Sequence, residues 1–292
     1  MFFRKNIVFL EYFLLKNNMI HCQKKNKKIE KETNFMNKNA HYWVNKQQRA
    51  NAAVTHTTKM EHHFKNEIED CIKKTKTYNS KMNFSVSPKR DFMKIEVVDM
   101  DSVSAIFQYA ENNTAVLNFA SYKNPGGMFV NGSKAQEECL CHESFLYNVL
   151  KENQNYYNWN NQHKNRALYL NRALYSPNIK FFHEDKELYC DVITCASPNK
   201  SAAQKYQNVS DEENKKVLAS RIDFVLKIAM NNHVDTLILG AYGCGVFGQN
   251  PREVAELFKE YLNKYHCFSK VIFAIPNGKN DKNLSVFKDI FN

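Results

Sequence analysis

At 292 residues the chain is long enough to bury a sizeable core, as one large domain or two small ones. Its net charge of +11 is one-sided: residues 1–90 hold 19 of the 41 Lys and Arg against 7 of the 30 Asp and Glu, a net +12, which leaves 91–292 at −1. Eight cysteines without a CxxC pair or a metal-type spacing to His argue against a disulfide framework and a structural metal, and point to a reducing compartment, cytoplasmic or nuclear.

Residues 1–20 join Arg4 and Lys5 to the apolar run IVFLEYFLL, but Glu11 interrupts the run and no small-residue cleavage site follows. The run is too short to span a bilayer, so no membrane partner is expected. With the Lys-rich KKNKKIEKE at 24–32, residues 1–45 read as a basic, flexible extension outside the fold. Such a segment suits a polyanion or is simply solvated. No RNA- or DNA-binding motif accompanies it, which argues against nucleic acid as partner. Val54, Phe64, Ile68, Cys71 and Ile72 predict a helix over 48–76, part of a 46–90 helical segment packing on a 91–292 core. A strand at Ile95–Val98 and a helix at Ser102–Tyr109 follow. The Asn-, Gln- and Tyr-rich stretch 151–165 reads as loop. Short strands are expected at 173–175, 179–182 and 188–196, with Ser176-Pro177-Asn178 as a turn. Ser210 and Glu213 form a capping box opening a long helix whose stripe is Leu218, Ile222, Val225, Leu226 and Ala229. Asp235–Leu239 and Val271–Ile275 are strands, Asn250-Pro251 starts a helix, and Leu284, Phe287 and Phe291 suit a short closing helix. Strands alternating with helices predict an α/β fold with parallel crossovers.

Two stretches carry chemistry. In 114–150 the apolar run Val116, Leu117, Phe119 ends at the break Asn124-Pro125-Gly126-Gly127, and a helical pattern resumes at Gln136-Glu137-Glu138. Strand, glycine loop and two carboxylates at a helix start can hold a ligand and do acid–base work on it. A surface loop with an acidic first helical turn fits the same residues. In the second stretch, Gly243-Cys244-Gly245-Val246-Phe247-Gly248 satisfies G-x-G-x-x-G between a strand and a helix. A dinucleotide site would need an acidic residue at the tip of the next strand, which instead ends Pro276-Asn277, with too little chain left for the rest of that fold. The loop therefore reads as a diphosphate cradle.

Taken together, Asn-Phe-Ala at 118–120, Asn124-Pro125-Gly126-Gly127-Met128, Gln136-Glu137-Glu138 and LILGAYGCGVFGQNP at 237–251 resemble the microbial-type poly(ADP-ribose) glycohydrolase family. The likeness runs from about residue 48 to about 276, with Met128 standing where the family has a third glycine. The resemblance implies a three-layer α/β/α macrodomain with a mixed central sheet and an N-terminal helical extension. It implies a monomer that acts on poly(ADP-ribose) or ADP-ribosylated proteins, releases ADP-ribose and uses no cofactor. Carried over to matching positions, Glu138 is the general acid that later activates water, and Glu137 orients ribose hydroxyls with Gln136 beside them. Asn118 and Asn124 match family positions, the latter at the distal ribose. The 243–248 loop holds the diphosphate, Phe247 packs on the distal ribose, and Asp101 receives the adenine amino group. Other readings of these residues remain: strand end for Asn118, turn for Asn124, helix cap for Asp101. Adjacent helix residues diverge by roughly 100°, so Glu137 and Glu138 are not expected to form the facing pair of ordinary glycosidases. A side chain at Met128 leaves an ADP-ribose reader, or a hydrolase of mono-ADP-ribosyl adducts, as the alternative.

Overall fold

The computed structural model describes residues 45–85, 88–278 and 282–291, so the basic extension expected at 1–45 lies almost wholly outside the described residues. In chain order the elements are α1 (Lys46–His63), α2 (Lys65–Lys74), β1 (Lys76–Asn79), β2 (Lys94–Val98), α3 (Ser102–Tyr109) and β3 (Thr114–Phe119). After a 3₁₀ turn at Phe129–Asn131 come α4 (Gln136–His142), α5 (Leu146–Leu150), α6 (Gln154–Gln162), β4 (Arg172–His183) and β5 (Lys186–Cys195). The chain closes with α7 (Lys200–Gln207), α8 (Asp211–Asn231), β6 (Thr236–Leu239), α9 (Pro251–Tyr265), β7 (Lys270–Ala274) and α10 (Asn283–Phe291). Among the described residues no helix is long and apolar enough to cross a membrane.

The strands form a seven-stranded mixed sheet in the order β1-β4-β5-β3-β6-β7-β2. Strands β5, β3, β6, β7 and β2 run parallel, while β4 is antiparallel to both β5 and β1. Period-two alternation divides the apolar residues between the two faces. Ala115, Leu117, Leu237 and Val271 meet the buried stripes of α8 and α9 together with α10. Val116, Ile238 and Ile272 meet Ala53, Met60, Val103, Leu140 and Leu146 on the other face. The result is three layers, helix on sheet on helix.

Local chemistry explains several boundaries. Ser210 Oγ accepts from the Glu213 N–H at 3.1 Å, and three acids in the first turn of α8 complement its dipole. The reciprocal half of the expected capping box gives way to an ion pair between the Glu213 carboxylate and Arg166. The expected single helix over 48–76 is two, broken at Phe64, whose ring packs 5.1 Å from that of Phe182. The following short strand β1 had no apolar pattern to announce it. Two expected strands at 173–175 and 179–182 are one: β5 is long enough to pair with both, and Ser176-Pro177-Asn178 is a bulge where the Asn178 N–H donates to Asp191 Oδ1 at 2.8 Å. The expected loop at 151–165 contains α6. Its poor helix formers are offset by burial of Tyr156, Tyr157 and Asn160.

Helix α1 docks on the loop that follows β3. Arg49 Nε donates to the Gly132 carbonyl at 2.6 Å, and a Cβ on Gly132, whose φ is +76°, would lie 2.0 Å from the Lys46 carbonyl oxygen. Gly132→Ala is therefore expected to cost more than about 2 kcal/mol, since a left-handed L-residue alone costs about 1–2. Urea unfolding should show the lower midpoint, with α1 becoming protease-sensitive first. An unchanged midpoint would contradict this docking.

Candidate active site

Strand β3 delivers Asn118, fully buried, to the C-terminal end of the sheet beside its parallel partner Thr194 on β5. Gln136, the first residue of α4, ties that helix to the strand end. Its Oε1 accepts from the Phe119 N–H at 2.8 Å, and its Nε2 donates to the Leu117 carbonyl at 2.8 Å and Ser102 Oγ at 3.1 Å. The next two residues, Glu137 and Glu138, thereby sit under the 124–128 turn, only 3% and 5% exposed.

The turn is shaped to receive them. The Gly127 N–H donates to the Asn124 carbonyl at 3.1 Å, and Gly126 and Gly127 have φ of +64° and +63°. A Cβ on Gly127 would lie 2.5 Å from Glu138 Oε1 and 2.9 Å from Glu137 Oε2. Although adjacent helix positions diverge by roughly 100°, both carboxylates end against this one glycine. Their hydrogen bonds differ. Glu137 accepts from Asn118 Nδ2 (3.2 Å) through Oε1 and from the Ser121 N–H (2.7 Å) through Oε2. Glu138 Oε1 accepts from the Met128 N–H at 2.8 Å, whereas its buried Oε2 has no hydrogen-bond partner among the described residues. Burial pushes the Glu137 carboxyl up to about 8; the Ser121 and Asn118 donors pull it down and the Glu138 charge adds to the rise.

Met128 has φ −112° and ψ 31°, which any L-residue can adopt, and its side chain is 42% exposed. The third loop position thus supplies its N–H without needing to be glycine.

The 243–248 loop leaves β6, which lies beside β3, so both loops open at the same end of the sheet. Asn250 Oδ1 caps α9 behind it, accepting from the Arg252 N–H at 2.9 Å. A Cβ on Gly243 would strike Ser197 Oγ at 2.2 Å, a reason internal to the fold, but nothing lies within 4 Å of one on Gly245. Gly245 thus presents bare backbone to open space, next to Cys244 and the 87% exposed Val246. The Phe247 ring lies 6.2 Å from that of Tyr169, and its carbonyl accepts from the Ser201 N–H at 3.1 Å. Gly248 ends the loop.

Of the predicted residues, Asn118, Gly126, Gly127, Met128, Gln136, Glu137 and Glu138 form one cluster, with Asn124 joined through its turn backbone and the 243–248 loop beside it. Asp101 stands apart at the end of the edge strand β2, capping α3 by accepting from the Val103 and Ser104 N–H groups at 2.9 and 3.0 Å. Ser121, whose N–H holds Glu137, and Thr194, whose Oγ1 accepts from Asn118 Nδ2 at 3.3 Å, were not singled out from sequence. Only the strand register reveals Thr194.

The description "Microbial-type PARG, catalytic domain", where PARG is poly(ADP-ribose) glycohydrolase, matches residues 45–184, which include the whole carboxylate cluster. The PARG structure from Thermomonospora curvata superposes with a TM-score of 0.76 at 26% identity, over 84% of this chain and 100% of that one. The fold is that of the solved PARG structures, and the carboxylate cluster lies within the stretch that matches the PARG catalytic domain. Similarity extends to the same enzyme bound to the inhibitor ADP-HPD (TM-score 0.73, 25% identity, 83% of this chain and 99% of that one). It extends also to PARG from Deinococcus radiodurans in complex with ADP-ribose (TM-score 0.69, 29% identity, 77% and 97%). No curated protein matches the sequence. The 243–248 loop lies outside the family-model match, so its place in the site rests on the adjacency of β6 to β3.

The raised Glu137 carboxyl makes stability depend on pH with a definite sign. The folded chain keeps that proton up to about pH 8, whereas an unfolded glutamate releases it near 4.5. Its contribution to stability is therefore full below 4.5 and is lost as pH rises to about 8, with a slope of up to about 1.4 kcal/mol per pH unit. Glu137→Gln should remove that slope whatever its constant offset. Urea unfolding of both proteins between pH 5 and 8.5 is the measurement, and parallel pH curves would contradict the burial argument.

Proposed function

We propose that this chain hydrolyses the ribose–ribose glycosidic bond of poly(ADP-ribose), with Glu138 as the proton donor. The observation that carries the assignment is the asymmetry of Glu138: one oxygen is fixed by the Met128 N–H, and the other is buried with no partner. A carboxyl so held has a defined direction in which to deliver a proton. Glu137 has both oxygens engaged by the protein and suits the orienting of ribose hydroxyls.

The reaction runs as follows. The diphosphate lies on the bare backbone at Gly245, favoured by the N-terminus of α9 behind it. Phe247 packs on the distal ribose, and Asp101, beyond its capping bonds, accepts from the adenine amino group. Glu138 Oε2 gives its proton to the departing 2′-oxygen as the bond from the anomeric carbon breaks, leaving an oxocarbenium-like ribose. Water then adds to that carbon, and the Glu138 carboxylate takes its proton, which restores the acid. The products are ADP-ribose and a polymer shortened at the cut. That one of the similar structures holds ADP-ribose and another the inhibitor ADP-HPD supports the same ligand here.

Met128 raises the alternative of a reader that binds without cutting. The conformation of Met128 favours hydrolysis, because it keeps the N–H that fixes the acid, and binding alone has no use for a buried carboxyl with a free oxygen. Glu138→Gln should lower release of ADP-ribose from labelled polymer by at least about 10²-fold, a typical share for a general acid. Calorimetric affinity for ADP-ribose should stay within a few-fold of wild type. Near-wild-type release by this variant would remove Glu138 from the role.

A further inference from the structure

Beside the carboxylate cluster, on the side away from Asp101, lies a groove of about 330 Å³ whose lining includes Tyr122, Lys123, Lys164, Tyr169 and Tyr206. Its walls come from the segment after β3, the segment before β4 and the helix after β5. Because β4 is antiparallel to β5, all three lie at the sheet end where the carboxylates sit. Tyr122 follows Ser121, whose N–H holds Glu137, and Tyr169 neighbours Phe247. The groove therefore continues from the proposed bond-breaking centre toward β4 and the β1 edge, opposite in direction to the β2 edge that carries Asp101.

The groove is built, and the building is strained. Tyr122 and Tyr169 stack at 4.0 Å and 13°, and Tyr122 Oη donates to the His163 carbonyl at 3.0 Å. Asn165, Arg166, Ala167 and Tyr169 all have positive φ, between +46° and +65°. Left-handed L-residues cost energy and persist where the surroundings fix them, characteristically at ligand sites. Here the Asn199 N–H to Ala167 carbonyl bond at 3.0 Å and the Arg166–Glu213 ion pair do the fixing. Lys123 and Lys164 are exposed and have no carboxylate within ion-pair distance among the described residues. Tyr206 is 67% exposed. Behind the tyrosines, Arg221 is fully buried with Nε on Asn171 Oδ1 at 2.7 Å, another guanidinium nitrogen on the Ala196 carbonyl and a third without a partner. No carboxylate neutralises it among the described residues, and an unpaired buried charge is costly unless something anionic answers it.

We propose that this groove is a subsite for the second nucleotide of the polymer, the unit whose 2′-oxygen leaves, with its adenine on Tyr206 and its diphosphate at Lys123 and Lys164. The proposal rests on the glycohydrolase reading above, which fixes where the leaving unit departs. Stacking on an aromatic ring combined with unpaired cations is the chemistry that holds a nucleotide without reading its sequence. An acidic polypeptide would use the cations but has no need of the ring.

The test is binding in the Glu138→Gln background, where substrate stays intact. Affinities for ADP-ribose and for a two-unit oligomer are compared with and without the further substitutions Lys123→Glu, Lys164→Glu and Tyr206→Ala, all at exposed positions. The oligomer should bind more tightly than ADP-ribose, and the substitutions should weaken the oligomer by about tenfold, one stacked base being worth about 1–3 kcal/mol. Affinity for ADP-ribose should move less than about twofold, within the additivity expected of distant sites. Unchanged oligomer binding or equal weakening of both ligands would overturn the subsite. Absence of ADP-ribose release by the unsubstituted protein would instead count against the glycohydrolase reading, and the binding comparison decides the groove on its own.

Discussion

Two carboxylates buried side by side are an expensive thing for a small protein to hold, and most of the local architecture exists to hold them. The turn at Gly126–Gly127 presses on both, leaving no room for a Cβ at Gly127. The Ser121 and Met128 N–H groups and the Asn118 amide supply the donors that water would otherwise provide. Gln136 fixes the start of α4 to the end of β3 through both ends of its amide. Even the strand register contributes, since it sets Thr194 opposite Asn118 and so fixes the amide that holds Glu137. A slip of one residue would turn Asn118 to the other face of the sheet.

From that constraint follows a division of labour. Glu137 is satisfied through both oxygens and held in place by the protein. Glu138 is satisfied through one and is left with the other to use. The second loop is divided in the same way, where Gly243 is required by packing on Ser197 while Gly245 faces open space. The N-terminal helix belongs to the same construction. It grips Gly132, four residues before Gln136, and so braces the far side of the turn that covers the acids.

Much of this was legible in the sequence. The strand-loop-helix around Gln136-Glu137-Glu138, the glycine loop after β6, and the caps at Ser210 and Asn250 all follow from short-range chemistry, and all appear where expected. What the chain did not announce depends on distant partners. The break at Phe64 exists because its ring packs on Phe182, and α6 forms because Tyr156 and Tyr157 find a core, although its own residues are poor helix formers. Pro177 suggested a turn, yet β5 continues past it and makes it a bulge. Thr194, which meets Asn118, and Tyr169, which neighbours Phe247, come from other elements and carry no local motif. Met128, which looked like the one discordant residue, is accommodated because that position contributes only its backbone N–H.

The central claim is geometric, so the most direct measurement is a crystal structure of the Glu138→Gln protein with an oligomer of ADP-ribose. The account predicts the terminal diphosphate on the 243–248 loop at Gly245, and the amide nitrogen or oxygen that replaces Glu138 Oε2 within about 3.2 Å of the glycosidic oxygen. A ligand whose glycosidic oxygen lies closer to Glu137, or whose diphosphate lies away from Gly245, would contradict it.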